Sequence, residues 1–282
     1  MLAPTGDLVA AALAGGGAIG AFNVITIEHA EAIVAGAEAA GLPVILQISE
    51  NAVRFHHGRL APIAAATRSI AAAASVPVAL HLDHVESDAL LAEAAPNGFG
   101  SVMYDASKLP YADNVAATAA AVASCRKAGL WVESELGEIG GKGGAHAKGA
   151  RTDPAEAAAY VAATGVDALA VAVGSSHAMT TRSARLDHDL IARLRAAVPV
   201  PLVLHGSSGV PDDELSLAVR GGMAKINIGT ALNTAFTGTV RAALDDQPDL
   251  VDPRRYLASA RTAMAETVTA ALRLLSAGLV EI

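Results

Sequence analysis

The sequence has few aromatic residues, a single cysteine and no cluster of basic residues. Phe, Trp and Tyr together make up 3% of its 282 residues, and much of the 52% hydrophobic content is alanine. Because alanine is the strongest helix former, this surplus indicates helices that pack closely against another element. The lone Cys125 excludes an internal disulfide and is typical of a protein from a reducing compartment.

The charge balance is acidic, with a formal net charge of −8. Without a run of lysine or arginine, nucleic acid and anionic membranes are not expected as partners, whereas a small anionic ligand remains compatible. The apolar stretch at residues 8–22 is shorter than the about 20 residues of a membrane-spanning helix. The N-terminus lacks the basic region of a signal peptide. We therefore expect a soluble cytoplasmic protein.

Short apolar runs alternate with longer alanine-rich helical runs along the whole chain, which is typical of a parallel sheet. Several runs, such as PVILQI and PLVLH, are continuously apolar, as expected for strands covered on both faces. We predict eight strands, near residues 20–24, 44–48, 78–82, 101–104, 130–133, 168–173, 202–204 and 225–228.

Eight strand–helix units in a chain of this length predict a single α/β domain over residues 1–282, folded as a (β/α)8 TIM barrel. The alternative is an open, doubly wound sheet that binds a dinucleotide. That fold carries a G-x-G-x-x-G sequence after its first strand, and this sequence has none there. The barrel is therefore favoured.

Polar residues follow every predicted strand. In a TIM barrel the carboxyl ends of all strands meet on one face, where active sites lie. A turn or cap would explain any one of these residues, but it explains the whole set poorly. The set comprises Asn23, Ser49, Asp83 with His84, Asp105, Glu133 with Glu135, Ser176 with His177, His205 with Gly206, and Asn227.

Three of these residues are histidines: His84, His177 and His205. Three imidazoles with an open coordination position form a catalytic zinc site, and iron, cobalt and manganese also accept nitrogen ligands. A single histidine of this kind is more often a hydrogen-bonded core residue. Three at strand ends, beside carboxylates, favour a metal site. His81, two residues before Asp83, is expected to point into the barrel as a packing or supporting residue.

Two turns rich in small residues follow the last two strands, at residues 205–209 and 227–230. Small residues let backbone N–H groups approach an anion, and the next helix adds the dipole of its N-terminus. The loops after strands seven and eight are the common phosphate site of this fold. A phosphorylated ligand is therefore expected.

The sequence resembles the class II fructose-bisphosphate and tagatose-bisphosphate aldolases over nearly its whole length, from residues 21–23 to 252–254. The resemblance implies reversible aldol cleavage of a ketose (bis)phosphate to dihydroxyacetone phosphate and an aldehyde, through an enediolate stabilised by zinc. The matching stretches, in family order, are HLDH (81–84), SVMYDAS (101–107), VESELG (132–137), AVAVGSSH (170–177), PLVLHGSSG (201–209) and KINIGT (225–230).

The resemblance also implies residue roles. His84, His177 and His205 match the ligands of one zinc ion per chain, and Glu135 matches a carboxylate near an alternative metal position. Asp83 matches the acid/base that exchanges a proton with the hydroxyl of the released carbon. Residues that match substrate contacts are Asn23, Ser49, Gly206, Ser208, Asn227 and Thr230.

Arg254 matches an arginine that, in the fructose-bisphosphate enzymes, reaches the distal phosphate from a neighbouring subunit. The resemblance therefore implies a homodimer or homotetramer acting on a small sugar phosphate.

Two loops depart from the family pattern. Where the family carries acids that move the second proton, this sequence has Lys142, Gly143 and Gly144, and Glu138 is the nearest carboxylate left for that role. Residues 178–182 replace a family segment that shapes the phosphate and monovalent-cation site. Both changes predict a substrate other than fructose 1,6-bisphosphate.

Two alternatives stay open. One is another metal-dependent barrel lyase or isomerase acting on a different sugar or sugar phosphate, which the altered loops favour. The other is a non-catalytic aldolase subunit, but such a subunit has no need to keep three histidine ligands and Asp83.

Overall fold

The computed structural model describes residues 1–136, 151–176 and 179–276, and within them eight parallel strands close a barrel in sequence order. The last strand pairs with the first, with Ile19 opposite Lys225. The predicted barrel is confirmed. The strands are β1 (Ile19–Asn23), β2 (Val44–Ser49), β3 (Val78–Val85), β4 (Ser101–Tyr104), β5 (Trp131–Glu135), β6 (Ala168–Ala170), β7 (Leu202–Leu204) and β8 (Met223–Ile228).

Helices lie outside the barrel, between successive strands. In the described part of the chain, no helix is long and apolar enough to cross a membrane. The helices are α1 (Thr5–Ala14), α2 (Ile27–Ala40), α3 (Glu50–Phe55), α4 (Leu60–Ala73), α5 (Asp88–Glu93), α6 (Tyr111–Lys127), α7 (Pro154–Thr164), α8 (His188–Ala197), α9 (Asp212–Arg220), α10 (Thr230–Asp246) and α11 (Pro253–Ser276), with a short 3-10 helix at Ser207–Gly209.

Local sequence explains several helix ends. At α7, the Asp153 side chain accepts hydrogen bonds from the N–H groups of Ala155 and Glu156, and Pro154 occupies the first helical position. Gly165 ends the same helix in the left-handed conformation that glycine adopts without strain.

The boundaries of two strands differ from the prediction in ways that matter for the site. Strand β3 continues past residue 82, so Asp83 and His84 belong to the strand instead of following it. Strand β8 begins at Met223, which places Lys225 within the strand and not at its start. Both strands include polar side chains that face the barrel interior. A strand length predicted from the apolar run alone is therefore too short.

The barrel interior has two parts of opposite character. At the amino-terminal end, α1 closes the barrel, and an apolar group that we call the lower layer packs there: Leu8, Val9, Ile19, Ala21, Ile45, Ala79 and Ala224. Further along the axis, five buried titratable side chains linked by ion-pair contacts form what we call the upper cluster: His81, Asp83, Glu133, His205 and Lys225. The upper cluster lies beneath the face where the strands end.

Candidate active site

A pocket of about 430 Å³ opens at the carboxyl ends of the strands. Its lining includes six of the seven residues predicted to contact substrate, all except Arg254: Asn23, Ser49, Gly206, Ser208, Asn227 and Thr230. Asp83 and His84 also line it. Residues separated by more than two hundred positions therefore meet in one space, as the convergence of strand ends predicts.

Asp83 and His84 face the same pocket although they are consecutive in the chain. Neighbouring residues of a regular strand point to opposite faces of the sheet. Here the pairing of β3 with β4 shifts register between Leu82 and Val85, and His84 adopts a left-handed φ of 49°. Such a conformation is uncommon for a residue other than glycine and is concentrated at functional sites. The irregularity turns both side chains toward the pocket.

His84, His205 and Asp83 each offer one potential metal-ligand atom, and these atoms all lie within 4.8 Å of one another. The two imidazole rings meet edge to face, with their centroids 4.9 Å apart. His205 is fully buried, while the His84 side chain is 24% exposed toward the pocket. Two of the three predicted histidine ligands are therefore brought together with the predicted acid/base.

A second group of donor atoms shares His84 and adds Asp105 and Glu135. His84 Nδ1 lies 3.0 Å from Asp105 Oδ2. The single hydroxyl hydrogen of Ser107 is within reach of both carboxylates, with Oγ 2.6 Å from Asp105 Oδ1 and 2.8 Å from Glu135 Oε1. Sequence reasoning noted Asp105 after its strand but assigned it no role. The polar residues at the end of the SVMYDAS stretch could have pointed to Asp105.

The charges in this group alter two pKa values. Burial alone would lower the pKa of His84, but the carboxylates of Asp83, Asp105 and Glu135 outweigh it and raise the pKa to about 10. Burial would raise the pKa of Asp105, but the hydrogen bond with His84 brings it well below its usual range. The site is therefore an anionic pocket that favours positive charge.

Asp83 is 2% exposed, and burial raises the pKa of its carboxyl group despite the opposing charge of His84. Gln47 Nε2 donates to Asp83 Oδ2 at 3.3 Å and to Asn23 Oδ1 at 2.8 Å. Asp83 Oδ1 has no hydrogen-bond partner among the described residues. Gln47 was not singled out from the sequence, although it is a polar residue inside the apolar run PVILQI.

The donor chemistry fits a divalent cation of the zinc type. Imidazole nitrogens and carboxylate oxygens are the ligands that such ions accept, and Asp83, His84 and His205 each offer one such atom within 4.8 Å of the others. The third predicted ligand, His177, lies outside the described residues. The described part thus supplies a partial ligand set with the expected chemistry.

His205 is held from behind by a buried ion pair. Its Nε2 lies 2.8 Å from Glu133 Oε1, and the other oxygen of Glu133 lies 2.8 Å from Lys225 Nζ. Lys225 also donates to Asn227 Oδ1 at 2.7 Å. His81 points into the barrel as predicted, with Nδ1 2.8 Å from Ser101 Oγ.

The two turns predicted to hold phosphate lie side by side at one end of the pocket. Gly206 has a φ of 67°, and a Cβ there would lie 2.6 Å from the backbone of Ser176, so only glycine fits. Ser208 Oγ accepts from the N–H of Ala231 in the first turn of α10, at 3.1 Å. The N-terminus of a 17-residue helix thus faces this end of the pocket.

Besides His177, two predicted residues are not in this pocket or cannot be placed. Arg254 lies at the start of α11 with its side chain 88% exposed and pairs with Asp252, away from the pocket of its own chain. The catalytic role predicted for Glu138 falls on a residue outside the described ones.

Comparison with known proteins agrees with this geometry. The family model for class II fructose-bisphosphate aldolase matches residues 3–278. The YdjI aldolase from Escherichia coli K12 is 34% identical, with a TM-score of 0.85 and coverage of 98% of this chain and 97% of that chain. A putative fructose-1,6-biphosphate aldolase from Coccidioides immitis is 28% identical, with a TM-score of 0.82 and coverage of 95% and 94%.

The fructose-bisphosphate aldolase from Campylobacter jejuni is 24% identical, with a TM-score of 0.81 and coverage of 97% of this chain and 95% of that chain, and this likeness supports the fold alone. The family match covers both turns and every described residue of the metal-type cluster. The chain belongs to the class II fructose-bisphosphate aldolase family.

Proposed function

We propose that this protein is a zinc-dependent aldolase that reversibly cleaves a ketose phosphate to dihydroxyacetone phosphate and an aldehyde. Membership of a generally metal-dependent aldolase family supports the reaction type. The observation that carries the proposal is the meeting of His84, His205 and Asp83 in one pocket with the two turns suited to phosphate.

His84 and His205 would hold the metal ion, with His177 as the third ligand and Glu135 beside them at the alternative position. Zinc, when bound, supplies a Lewis acid that polarises the ketose carbonyl and stabilises the negative charge left after cleavage. Other divalent transition metals accept the same donors. No lysine is then needed to form a Schiff base, and the buried Lys225 is already engaged by Glu133 and Asn227.

Asp83 would move the proton of the hydroxyl group on the carbon that leaves as the aldehyde. Its raised pKa brings the carboxyl group closer to neutral pH, where a group both accepts and returns a proton. Gln47 donates to one carboxylate oxygen, Oδ2, and thereby holds the carboxyl group in place. Glu138 is proposed for the second proton, at the carbanion carbon.

The ketose phosphate group would bind between the two turns, on the backbone N–H groups near Gly206, Ser208 and Thr230. Lining residues with small or no side chains let an anion approach the backbone, and the N-terminus of α10 adds a favourable dipole. Asn23, Ser49 and Asn227 would contact the substrate hydroxyl groups.

The lining also bears on the substrate. Among the described residues that line the pocket, none is lysine or arginine. A second phosphate would need a cation, and Arg254 lies too exposed to serve the pocket of its own chain. We propose that Arg254 reaches the site of a neighbouring subunit in a homodimer or homotetramer and supplies that cation. The departures from the family pattern at residues 138–149 and 178–182 support a substrate other than fructose 1,6-bisphosphate.

The main alternative is a metal-dependent lyase or isomerase on a different sugar. It draws support from the altered loops at residues 138–149 and 178–182, whereas the retained turns for phosphate count against it. A non-catalytic aldolase subunit is disfavoured, because burying the Asp83 carboxyl group costs free energy that such a subunit has no need to spend.

The test is metal analysis of the purified protein, paired with a retro-aldol assay on a panel of ketose mono- and bisphosphates before and after chelation. About one zinc ion per chain and chelator-sensitive release of dihydroxyacetone phosphate are expected. Bound metal with no cleavage of any ketose phosphate would support the isomerase or lyase alternative. A protein that binds no divalent metal would overturn the proposal.

A further inference from the structure

The ion pair between Glu133 and Lys225 lies entirely inside the barrel, and the proposed chemistry does not use it. Both side chains are fully buried, and Lys225 Nζ lies 2.8 Å from Glu133 Oε2. Breaking a buried pair of this kind by removing one partner typically costs about 3–5 kcal/mol, while apolar residues of similar volume often serve stability as well. Stability alone therefore does not explain why these two charges occupy the barrel.

The pair contacts the site at one atom. Glu133 Oε1 lies 2.8 Å from Nε2 of His205, a proposed metal ligand. A carboxylate paired with a lysine has only acceptors to offer, so the hydrogen in this contact belongs to Nε2. In a neutral imidazole the lone pair is then on Nδ1. That nitrogen faces the opposite side of the ring, where Glu135 Oε2 lies 3.8 Å away.

Lys225 fixes the orientation of the carboxylate. Its Nζ donates to Asn227 Oδ1 and forms an ion pair with Glu133 Oε2, so the other oxygen of Glu133 is left to accept from His205. Asn227 lines the pocket, and its backbone carbonyl accepts from Ser207 Oγ at 2.5 Å. Lys225 thus connects Asn227 in the pocket wall to Glu133, the carboxylate that holds His205.

We propose that Glu133, held by Lys225, is a positioning residue that keeps His205 in the Nε2–H tautomer and presents Nδ1 to the metal ion. This inference rests on the proposed function, because it takes His205 to be a ligand. A carboxylate behind a ligating imidazole fixes the ring and raises its basicity, and its loss typically weakens metal binding by about 10- to 100-fold.

The first test replaces Glu133 by glutamine, which has the same shape. Beside Lys225 the amide oxygen would turn to the ammonium group, and the amide NH2 would face His205 Nε2. The imidazole would then carry its hydrogen on Nδ1, where it blocks the metal. Zinc affinity of Glu133→Gln, measured by competition with a chromophoric chelator, is expected to fall by about 10- to 100-fold.

The matched control is Glu50→Gln. Glu50 is also a largely buried carboxylate, but it accepts from Arg54 and from the backbone N–H of Glu86, and from neither proposed histidine ligand. Its zinc affinity is expected to equal that of the wild type. An equal loss in both variants would mean that removing any buried carboxylate disturbs the site, and it would overturn the assignment to Glu133.

A double variant separates tautomer control from simple damage. In Glu133→Gln with Lys225→Met, the amide is no longer turned by the ammonium group, so its oxygen is free to accept from His205 Nε2. Zinc affinity is expected to recover toward the wild-type value. A further loss in the double variant would contradict the proposal.

The tautomer itself can be read without any variant of the ion pair. Imidazole ¹⁵N shifts of the metal-free wild-type protein, with the His205 signals identified by their absence in His205→Ala, are expected to show Nε2 protonated and Nδ1 unprotonated. The opposite pattern would overturn the proposal. If the wild type binds no zinc, the proposed function fails; if it binds zinc and Glu133→Gln binds it equally well, only this inference fails.

Discussion

The lower layer and the upper cluster occupy the same barrel but are stabilised by opposite physical effects. The lower layer contains only aliphatic side chains, which gain free energy when they leave water and need no specific partner. The upper cluster contains five titratable side chains, each of which loses free energy when it leaves water. Such groups remain buried only when other polar groups pair with their charges or form hydrogen bonds with them.

The difference teaches where to look for function in a closed barrel. Glu133 is stabilised by Lys225 and His205, while Asp83 Oδ1 accepts no hydrogen bond from the described residues and has only His81 Nε2 at 3.8 Å. The lower layer thus stabilises the folded state. Burial of the upper cluster costs desolvation free energy, which a bound metal ion and substrate would offset. We expect substitutions in the two regions to affect different measurements.

The largest effect is expected for His205→Ala in the upper cluster. Removing a proposed ligand should abolish metal binding and aldol cleavage together, because a catalytic zinc site typically has only three protein ligands. Zinc content by elemental analysis and the initial rate of cleavage check this. The control is His188→Ala, which removes a histidine that pairs with Glu214 on the outer surface; full metal occupancy in His205→Ala would remove His205 from the site.

Asp83→Asn should affect catalysis and leave the metal in place. The amide keeps the shape but cannot exchange the proton, so kcat should fall by at least about 10²-fold, the scale of acid–base catalysis. Unfolding free energy should not decrease, because a buried charge is removed. Loss of zinc together with activity would instead identify Asp83 as a ligand, and an unchanged rate would exclude it from the mechanism.

The contrast between the two regions also explains what the sequence predicts well. The eight strands were recognisable because each apolar run ends at polar residues, and this pattern depends only on burial. Asp83, His84 and the two turns were found because they follow such runs. The pocket contains the six residues predicted to contact substrate from within the same chain, and the roles that the resemblance assigns to them stay predictions.

What the sequence did not reveal depends on contacts between distant strands. Gln47 was hidden within an apolar run, although its amide links Asp83 to Asn23. The alternation Lys225, Ile226, Asn227, Ile228 places both polar residues on the inner face, yet no pattern pairs Lys225 with a glutamate 92 positions earlier (225 − 133). The register shift that turns both Asp83 and His84 toward the pocket is equally non-local.

In the lower layer, Ile45→Ala should reduce stability without changing the chemistry. Ile45 is fully buried among aliphatic residues, so its truncation leaves a cavity and should cost about 2–5 kcal/mol of unfolding free energy. Urea unfolding of the metal-free protein measures this cost. Zinc affinity and kcat/KM, measured where the variant is fully folded, should match the wild type; a clear loss of zinc affinity would show that the two regions are coupled.

The smallest effect is expected when the change made at Glu133 is made on the surface, where Glu31 of α2 pairs with Arg261 of α11. These side chains are 38% and 46% exposed, so water already solvates both charges. Glu31→Gln should cost less than about 1 kcal/mol of unfolding free energy, and high salt should reduce the cost further. Zinc affinity should not change. The same replacement of glutamate by glutamine is thus made in two environments. An unchanged zinc affinity and a small, salt-dependent loss of unfolding free energy in Glu31→Gln would show that burial and partners, not the carboxylate itself, distinguish Glu133. A salt-independent cost of several kcal/mol at Glu31 would contradict that distinction.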